Sequence, residues 1–249
     1  MTAPNWQANA LELMSKEALI MLPGMMCDER LFAPQISAFK NDYEIIVPRL
    51  DRPVSILGMA QRILNEIKAP TFNLLGLSMG GIVAMNMIGV SPERVSRLAL
   101  LDTNHKADDA GRFFLRNRQI EDVISGKLRH VITTEMKPIY LAKANCKNQA
   151  LLDLLVNMAL DLGDEMFITQ SRALRDRTEQ TENLRRYHGP TLLLCGEEDA
   201  LCPPIYHAQM SKILSRCVLH EISNAGHIST LEQPVSVSAA LKDWLNLTI

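Results

Sequence analysis

The stretch Thr71–Val90, TFNLLGLSMGGIVAMNMIGV, constrains the fold of this 249-residue chain more than any other. It opens with an apolar run typical of a buried strand and continues, after a glycine-rich turn, as an apolar helical segment. Gly76 and Gly80 flank Ser78 in that turn, because a side chain on either neighbour would clash at so sharp a corner. We therefore predict a strand, a tight turn and a helix, with Ser78 exposed at the tip and free helix N–H groups behind it.

Short apolar runs that alternate with helical segments flank this stretch on both sides. Runs typical of buried strands lie at 18–22, 43–47, 97–101, 191–195 and 217–222, and helical spacing is found at 31–39, 56–67 and 234–245. Strands that alternate with helices are joined by right-handed crossovers, which aligns them in the same direction. The predicted fold class is therefore α/β, with a mostly parallel, doubly wound sheet.

One long stretch interrupts this alternation. Residues 104–188 have helical spacing and no convincing strand, which predicts an all-helical cap inserted between core segments 18–103 and 189–249 of a single domain. We expect the cap to cover the carboxyl edge of the sheet. Its charged run 172–186 is interpreted as a solvated helix face, because acidic residues interleave the arginines; a phosphate-binding role is the alternative.

Ser78 becomes a nucleophile only when a base removes its proton and a carboxylate holds that base. In an open parallel sheet, such groups lie in loops that follow strands. Among the six histidines, His227 directly follows the last predicted strand, in the small-residue sequence SNAGH. We assign His227 as the base.

Asp199 is the expected acid, because it lies in the polar turn GEED that follows the strand at 191–195. The order Ser78, Asp199, His227 also matches a known order of such triads along the chain. Asp102, which ends another predicted strand, is the main alternative. The two glutamates before Asp199 are chemically competent, but we expect them to face solvent.

An anionic tetrahedral intermediate also needs hydrogen-bond donors. We expect one from the backbone N–H of Met79, the residue after the serine. The other is expected from the loop after the first strand, where Gly24 would leave the N–H of Met25 pointing at the site. The side chains of Met25, Met26 and Met79 are predicted to line the substrate pocket, with core filling as the alternative.

Four motifs together resemble the α/β-hydrolase superfamily, in particular small single-domain, bacterial-type, esterase-like members with a helical cap. The motifs are LPGMMCD, GLSMGG, CGEEDALCPP and NAGHISTLEQP. The resemblance implies a catalytic triad of Ser78, Asp199 and His227, with an oxyanion hole formed by the amides of Met25 and Met79.

This sequence departs from the superfamily pattern in two places. The oxyanion loop usually reads His-Gly, whereas here it reads Pro23-Gly24. Many relatives also place an antiparallel hairpin before the first strand. Only about 17 residues precede that strand in this chain, so we expect a sheet of about six or seven strands.

Net charge and cysteine content limit the classes of binding partner and cofactor that we expect. A net charge of −2 gives no reason to expect nucleic acid or an anionic membrane, and no apolar run is long enough for a membrane span. The five cysteines include no C-x-x-C pair, which indicates reduced thiols without a zinc site. We expect neither a metal nor an organic cofactor, and a cytoplasmic location without a signal peptide.

The expected function is hydrolysis of a small or medium apolar carboxylic ester through an acyl-serine intermediate, so the expected partner is a small-molecule acyl substrate. The resemblance leaves enol-lactone, thioester and carbon–carbon bond hydrolysis open, because the same triad serves all of them. A ligand-sensing protein on a hydrolase scaffold is a further alternative. The cap selects among these functions, and its sequence has no readable code.

Overall fold

The apolar runs of the sequence form six strands of one sheet in the computed structural model, which describes residues 16–248. The strands are Ala18–Leu22 (β1), Glu44–Ile46 (β2), Phe72–Leu77 (β3), Val95–Leu101 (β4), Thr191–Gly196 (β5) and Cys217–Ile222 (β6). Every neighbouring pair is parallel, in the order β2-β1-β3-β4-β5-β6. β1, β3 and β5 are buried along their whole length, which explains their continuous apolar sequences.

Helices cover both faces of this sheet and fill the long connection between β4 and β5. They are Ala33–Phe39 (α1), Ile56–Glu66 (α2), Met79–Val90 (α3), Ala110–Ile124 (α4), Leu128–His130 (α5), Gln149–Arg175 (α6), Thr181–Arg186 (α7), Pro204–Ser211 (α8), Ser229–Glu232 (α9) and Pro234–Leu245 (α10). Glu29–Phe32, Pro92–Arg94 and Lys137–Ile139 form 3-10 turns, and Val131–Met136 is a π-helix. Within residues 16–248, none of the helices combines the length and apolar character that a membrane crossing requires.

The predicted α/β class with a mostly parallel sheet is confirmed. The strand expected at 43–47 is shorter than predicted, and the strand expected at 97–101 begins two residues earlier, at Val95. Helix α3 is apolar around its whole circumference because the residues Met79–Ile88 are all buried. The central position of α3 fixes the direction in which the turn at Ser78 faces.

The connection from β4 to β5 consists of helices joined by loops, with no strand among its residues, all of which the structure describes. We refer to it as the helical insertion, residues 104–188. The interpretation of 172–186 as a solvated face is wrong at Arg177, which is only 8% exposed. Residues 176–180 follow the end of α6, and the Arg177 guanidinium lies 2.7 Å from the carboxylate of Asp108.

Two loops at the carboxyl edge meet because β1 has β2 on one side and β3 on the other. The loops after β1 and β3 leave adjacent strands, and such a switch point opens a crevice in α/β sheets. A Cβ added at Gly80 would lie 2.0 Å from the carbonyl oxygen of Leu22, and one at Gly76 would lie 2.4 Å from the carbonyl oxygen of Gly80. Both positions therefore require glycine, as the sequence predicted, because a Cβ at either one would collide with backbone atoms.

Replacement of Gly80 by alanine should destabilise the fold, because the new Cβ would meet backbone that cannot move aside as a side chain would. We expect Gly80→Ala to lower the free energy of unfolding by about 3 kcal/mol or more, at or beyond the upper end of the usual overpacking range. Urea unfolding followed by circular dichroism measures this change.

Gly111→Ala is the matched control for this substitution. Gly111 lies in α4, where an added Cβ would approach only the Asp109 carboxylate, at 3.2 Å, and where alanine favours the helix. We expect Gly111→Ala to unfold within about 1 kcal/mol of the unchanged protein. Equal stability of the two variants would contradict the steric interpretation of Gly80.

Candidate active site

Ser78 occupies a strained backbone position between β3 and α3. Its φ of 54° and ψ of −115° lie outside the regions that side-chain-bearing residues prefer. Hydrogen bonds hold this conformation from both sides: the N–H of Ser78 donates to the carbonyl of Leu101 at 2.9 Å, and its carbonyl accepts from the Thr103 hydroxyl at 2.7 Å. The serine is thereby presented, partly exposed, at the carboxyl edge of the sheet.

Three side chains from separate strand-end loops form one hydrogen-bonded line. His227 Nε2 lies 2.8 Å from Ser78 Oγ, and His227 Nδ1 lies 2.8 Å from Asp199 Oδ2. An ionised carboxylate can only accept, so Nδ1 carries the ring proton and Nε2 offers its lone pair to the serine hydroxyl. The structure thus brings together the residues that the sequence assigned as nucleophile, base and acid, whose roles stay predictions.

Burial and nearby charges together set the protonation states of Asp199 and His227. Burial alone would raise the pKa of Asp199, but the His227 ring and the N–H groups of Leu201 and Cys202, each 2.8 Å from Oδ1, hold that pKa below its usual value. Burial alone would lower the pKa of His227, but the Asp199 carboxylate more than offsets this, and the pKa of His227 is raised above 6.5. Asp199 is therefore ionised at neutral pH and can stabilise a protonated His227.

Asp102, the alternative acid, joins loops rather than holding the histidine ring. Its Oδ1 accepts a hydrogen bond from the N–H of Gly196 at 2.9 Å, and its Oδ2 accepts one from the hydroxyl of Ser229 at 2.6 Å. Burial raises the pKa of Asp102, and the nearby charge of Asp199 raises it further. Two neighbouring carboxyls whose pKa values are pushed apart serve different roles. Asp199 holds His227, while Asp102 fastens β5 to the segment after the base.

The two glutamates before Asp199 make no contact with the His227 ring in the described hydrogen bonds. Glu197 is exposed, and Glu198 accepts a hydrogen bond from the N–H of Lys143 at 3.1 Å. The exposed position of Glu197 agrees with the expectation from sequence. Glu198 is half-buried and agrees with it only in part.

Sequence reasoning missed the residues that hold the loop of the base. The N–H of His227 donates to the carbonyl of Tyr140 at 2.7 Å, and the Tyr140 and His227 rings pack edge to face with centroids 5.3 Å apart. The Glu232 carboxylate accepts from the N–H of Gly226 at 2.7 Å and from the N–H of Ala142 at 2.8 Å. These contacts tie the base to the helical insertion. They join segments far apart in the chain, so no local pattern could have revealed them.

The loop after β1 packs directly against the serine, as its assignment as an oxyanion loop requires. A Cβ added at Gly24 would lie 3.6 Å from the Cβ of Ser78. Met25 and Met79 both line the cavity in front of Ser78, and Met79 is the first residue of α3. Their N–H groups stay the predicted donors for an oxyanion.

Met26 does not line this cavity, which corrects its assignment as a substrate-binding residue. Its φ of 54° turns the chain sharply at this position, and its side chain is fully buried in the hydrophobic core. The N–H of Met26 donates to Gln170 Oε1 at 2.8 Å, which fixes the turn. The core-filling role that we weighed for the methionines therefore applies to Met26.

A cavity of about 360 Å³ opens in front of Ser78 and His227. Its size suits a small or medium ligand. The helical insertion contributes apolar side chains to its wall, and also three arginines, Arg112, Arg116 and Arg177. We did not predict Arg112 and Arg116, whereas Arg177 belongs to the run 172–186 for which phosphate binding was the alternative. The spacing of Arg112 and Arg116, four residues apart on one helix, was the available signal that they share a face.

One group of side chains in the described part of the chain has the composition of a metal site: Asp199, Cys202 and His227. Asp199 and Nδ1 of His227 already bond to each other in this group. Burial raises the pKa of the Cys202 thiol to about 12, which disfavours the thiolate that metals bind. The arrangement therefore fits a hydrogen-bonded acid and base better than a metal centre.

Comparisons of the sequence and the fold with known proteins identify similar proteins. A family model described as the alpha/beta hydrolase fold matches residues 51–234. The dihydrolipoyllysine-residue acetyltransferase component of an acetoin cleaving system from Pseudomonas putida is 26% identical over 185 residues, which cover 74% of this chain and 48% of that protein. The chain thus spans about half the length of this relative.

Two solved structures share the fold over nearly the whole chain. A thermophilic esterase from Thermogutta terrifontis has a TM-score of 0.85 and 24% identity, covering 93% of this chain and 90% of its own. An enol-lactonase from Burkholderia xenovorans LB400 has a TM-score of 0.81 and 18% identity, covering 95% of this chain and 94% of its own. At these identities the likeness concerns the fold.

The raised pKa of His227 leads to a pH prediction. If neutral His227 is the base, kcat/KM for an ester should fall on the acidic side of an apparent pKa above 6.5, because Asp199 favours the protonated ring. Asp199→Asn should move this limb to lower pH and reduce kcat by about 10³- to 10⁴-fold, since the amide no longer offsets the ring charge. Rate profiles from pH 5 to 9 measure both effects.

Asp102→Asn is the matched control, because it changes the other buried carboxyl and keeps the contact between Asp199 and His227. The Asp102 charge raises the pKa of His227 less than Asp199 does, so we expect Asp102→Asn to move the acidic limb less than Asp199→Asn does. If Asp102→Asn instead abolished the limb while Asp199→Asn left it in place, Asp102 would be the acid that acts on His227.

Proposed function

Since the chain belongs to the alpha/beta hydrolase fold family, we propose that it is a serine hydrolase that cleaves a small or medium carboxylic ester through an acyl-serine intermediate. The observation that carries this proposal is the hydrogen-bonded line from Asp199 through His227 to Ser78, which ends at the wall of a cavity. A serine held this way has a base in contact and an acid that keeps the base in the required tautomer. The cavity supplies the space that a substrate carbonyl needs.

The chemistry follows from the two 2.8 Å contacts of His227. Ser78 Oγ attacks the ester carbonyl while its proton passes to Nε2, and Asp199 stabilises the resulting imidazolium. The carbon–oxygen bond to the alcohol then breaks, and His227 protonates the leaving oxygen. Water attacks the acyl-serine in the same way, giving its proton to His227, and releases the acid and the free serine.

The negative oxygen of each tetrahedral intermediate would be held by the N–H groups of Met25 and Met79. Two features support this role: the loop after β1 lies against Ser78, and α3 begins at Met79, where the helix dipole favours negative charge. One such donor lowers the activation barrier by about 3–4 kcal/mol in comparable sites.

A fluorophosphonate probe tests the nucleophile first. We expect the probe to label Ser78, and we expect Ser78→Ala to lose labelling and to hydrolyse p-nitrophenyl butyrate at least about 10³-fold more slowly. Ser125→Ala, which changes an exposed serine of the insertion, should retain both properties. Hydrolysis by Ser78→Ala at the rate of the unchanged protein would sink the proposal.

A panel of matched ester, thioester, enol-lactone and carbon–carbon substrates then tests the leaving group. We expect the oxygen ester to have the highest kcat/KM. A thioester, lactone or carbon–carbon substrate that exceeded it while Ser78 is still labelled would keep the nucleophile and replace the substrate. Labelling of Ser78 without turnover of any member would favour a ligand-sensing protein.

A further inference from the structure

The cavity in front of Ser78 is richer in positive charge than ester hydrolysis requires. Arg112, Arg116 and Arg177 all line it. Asp108, whose side chain is fully buried, bonds two of them: its Oδ2 lies 2.5 Å from Arg116 Nε and its Oδ1 lies 2.7 Å from Arg177 Nη1. Asp108 therefore pairs with two of the three guanidinium groups, and within residues 16–248 the Arg112 guanidinium forms no ion pair.

Glu135, a second acidic residue at the cavity wall, does not neutralise the excess positive charge. Glu135 lines the cavity, but its carboxylate lies 2.6 Å from Arg118, an arginine outside the wall, and accepts a hydrogen bond from Gln119 at 3.0 Å. Glu135 is thus matched by Arg118, which leaves the three lining arginines with Asp108 alone. Arg177 is also held by the backbone, because its Nε donates to the carbonyl of Lys106 at 2.8 Å.

Helix α4 aims two of these arginines at opposite sides of the nucleophile. Arg112, Leu115, Arg116 and Gln119 line the cavity at steps of three and four residues, so they form one face of the helix. Arg116 Nη1 lies 3.8 Å from Met25 Sδ, beside the oxyanion loop. Arg112 Nη2 donates to the carbonyl of Leu201 at 3.1 Å, beside the loop of Asp199.

Both arginines keep donors that the described residues do not use. A guanidinium carries five N–H donors. Within residues 16–248, Arg112 donates through its side chain to Leu201, while Arg116 donates to Asp108 and makes its long contact with Met25. Both arginines line the cavity that Ser78 also lines.

This concentration of like charge is unfavourable without an anion. Burial lowers the pKa of Arg177 to about 10, Asp108 opposes the change, and repulsion from Arg116 and Arg112 adds to it. A buried charge is stabilised by an ion partner with matched hydrogen bonds, and arginine forms such bonds in pairs with a carboxylate. Asp108 supplies only part of this: Arg116 makes a single hydrogen bond to it through Nε, and Arg177 forms an ion pair with it.

We propose that the substrate carries a carboxylate, which Arg112 and Arg116 bind while the ester carbonyl lies at Ser78. This inference rests on the proposed function for its ester, and on the charge of the cavity wall for its carboxylate. It changes the expectation of an apolar acyl substrate: the apolar part of the wall would contact the carbon chain between the two polar groups.

Matched pairs of esters test the proposal. One pair is mono-p-nitrophenyl adipate and p-nitrophenyl hexanoate, which places the charge on the acyl side. The other is 4-acetoxybenzoate and its methyl ester, which places it on the leaving group. We expect kcat/KM for at least one carboxylate ester to exceed that of its neutral partner by about tenfold or more.

The variants Arg112→Gln and Arg116→Gln should reduce that preference by about 10- to 100-fold each, which is the effect of a hydrogen bond to a charged group, while hydrolysis of the neutral ester changes much less. Arg172→Gln is the matched control, because Arg172 is exposed on α6 and does not line the cavity. It should keep both activities. Equal kcat/KM within both pairs, or an undiminished preference in both variants, would overturn the proposal.

A binding experiment separates this proposal from the proposed function. Adipate titrated into Ser78→Ala by calorimetry should bind, and Arg116→Gln in the same background should weaken the binding at least tenfold. Binding of adipate in a protein that no fluorophosphonate labels would retain the carboxylate site and remove the ester chemistry. Labelling of Ser78 without binding of adipate, and without a preference for either charged ester, would retain the ester chemistry and remove the carboxylate site. Tighter binding of inorganic phosphate than of adipate would replace the carboxylate by a phosphate group.

Discussion

The contact between the backbone of Gly80 and the carbonyl of Leu22 is the constraint on which the site depends. It lets α3 begin against β1, and so sets the end of β3 beside the loop that follows β1. With that spacing, Gly24 meets Ser78 and the first N–H groups of α3 face the same space as the loop. A larger separation would leave a serine at a strand end without nearby donors.

Strain in this chain is concentrated where the loops meet. Met26, Ser78, Asp102 and Asn224 are the residues other than glycine with a positive φ in residues 16–248, and each follows a strand at the carboxyl edge. Such conformations cost of order 1–3 kcal/mol each and persist only when the surroundings enforce them. Here neighbouring strands and buried hydrogen bonds do so, as the bonds of Ser78 to Leu101 and Thr103 illustrate. The sheet stabilises the geometry of its own edge.

The parts of the site that the sequence predicted are those encoded by local pattern and strand order. Ser78 was identified by the glycines around it, and Asp199 and His227 by their positions after predicted strands, because parallel strands bring such positions to one edge. Met26 was misplaced because one left-handed residue reverses the direction of a side chain, and the loop sequence does not specify which residue adopts it. Arg112 and Arg116 were missed because the insertion is positioned by tertiary contacts, which helical periodicity does not encode.

The contacts of Tyr140 and Ala142 with the base loop also determine how the helical insertion can move. Backbone hydrogen bonds from His227 and to Glu232 anchor this segment to the core, so a displacement here would pull the base from the serine. Helix α4 packs against α6, and among the described residues it contacts the loops around the cavity through the side chains of Arg112 and Arg116. Within the insertion, the segment at 140–142 is therefore the part whose position is tied to that of His227.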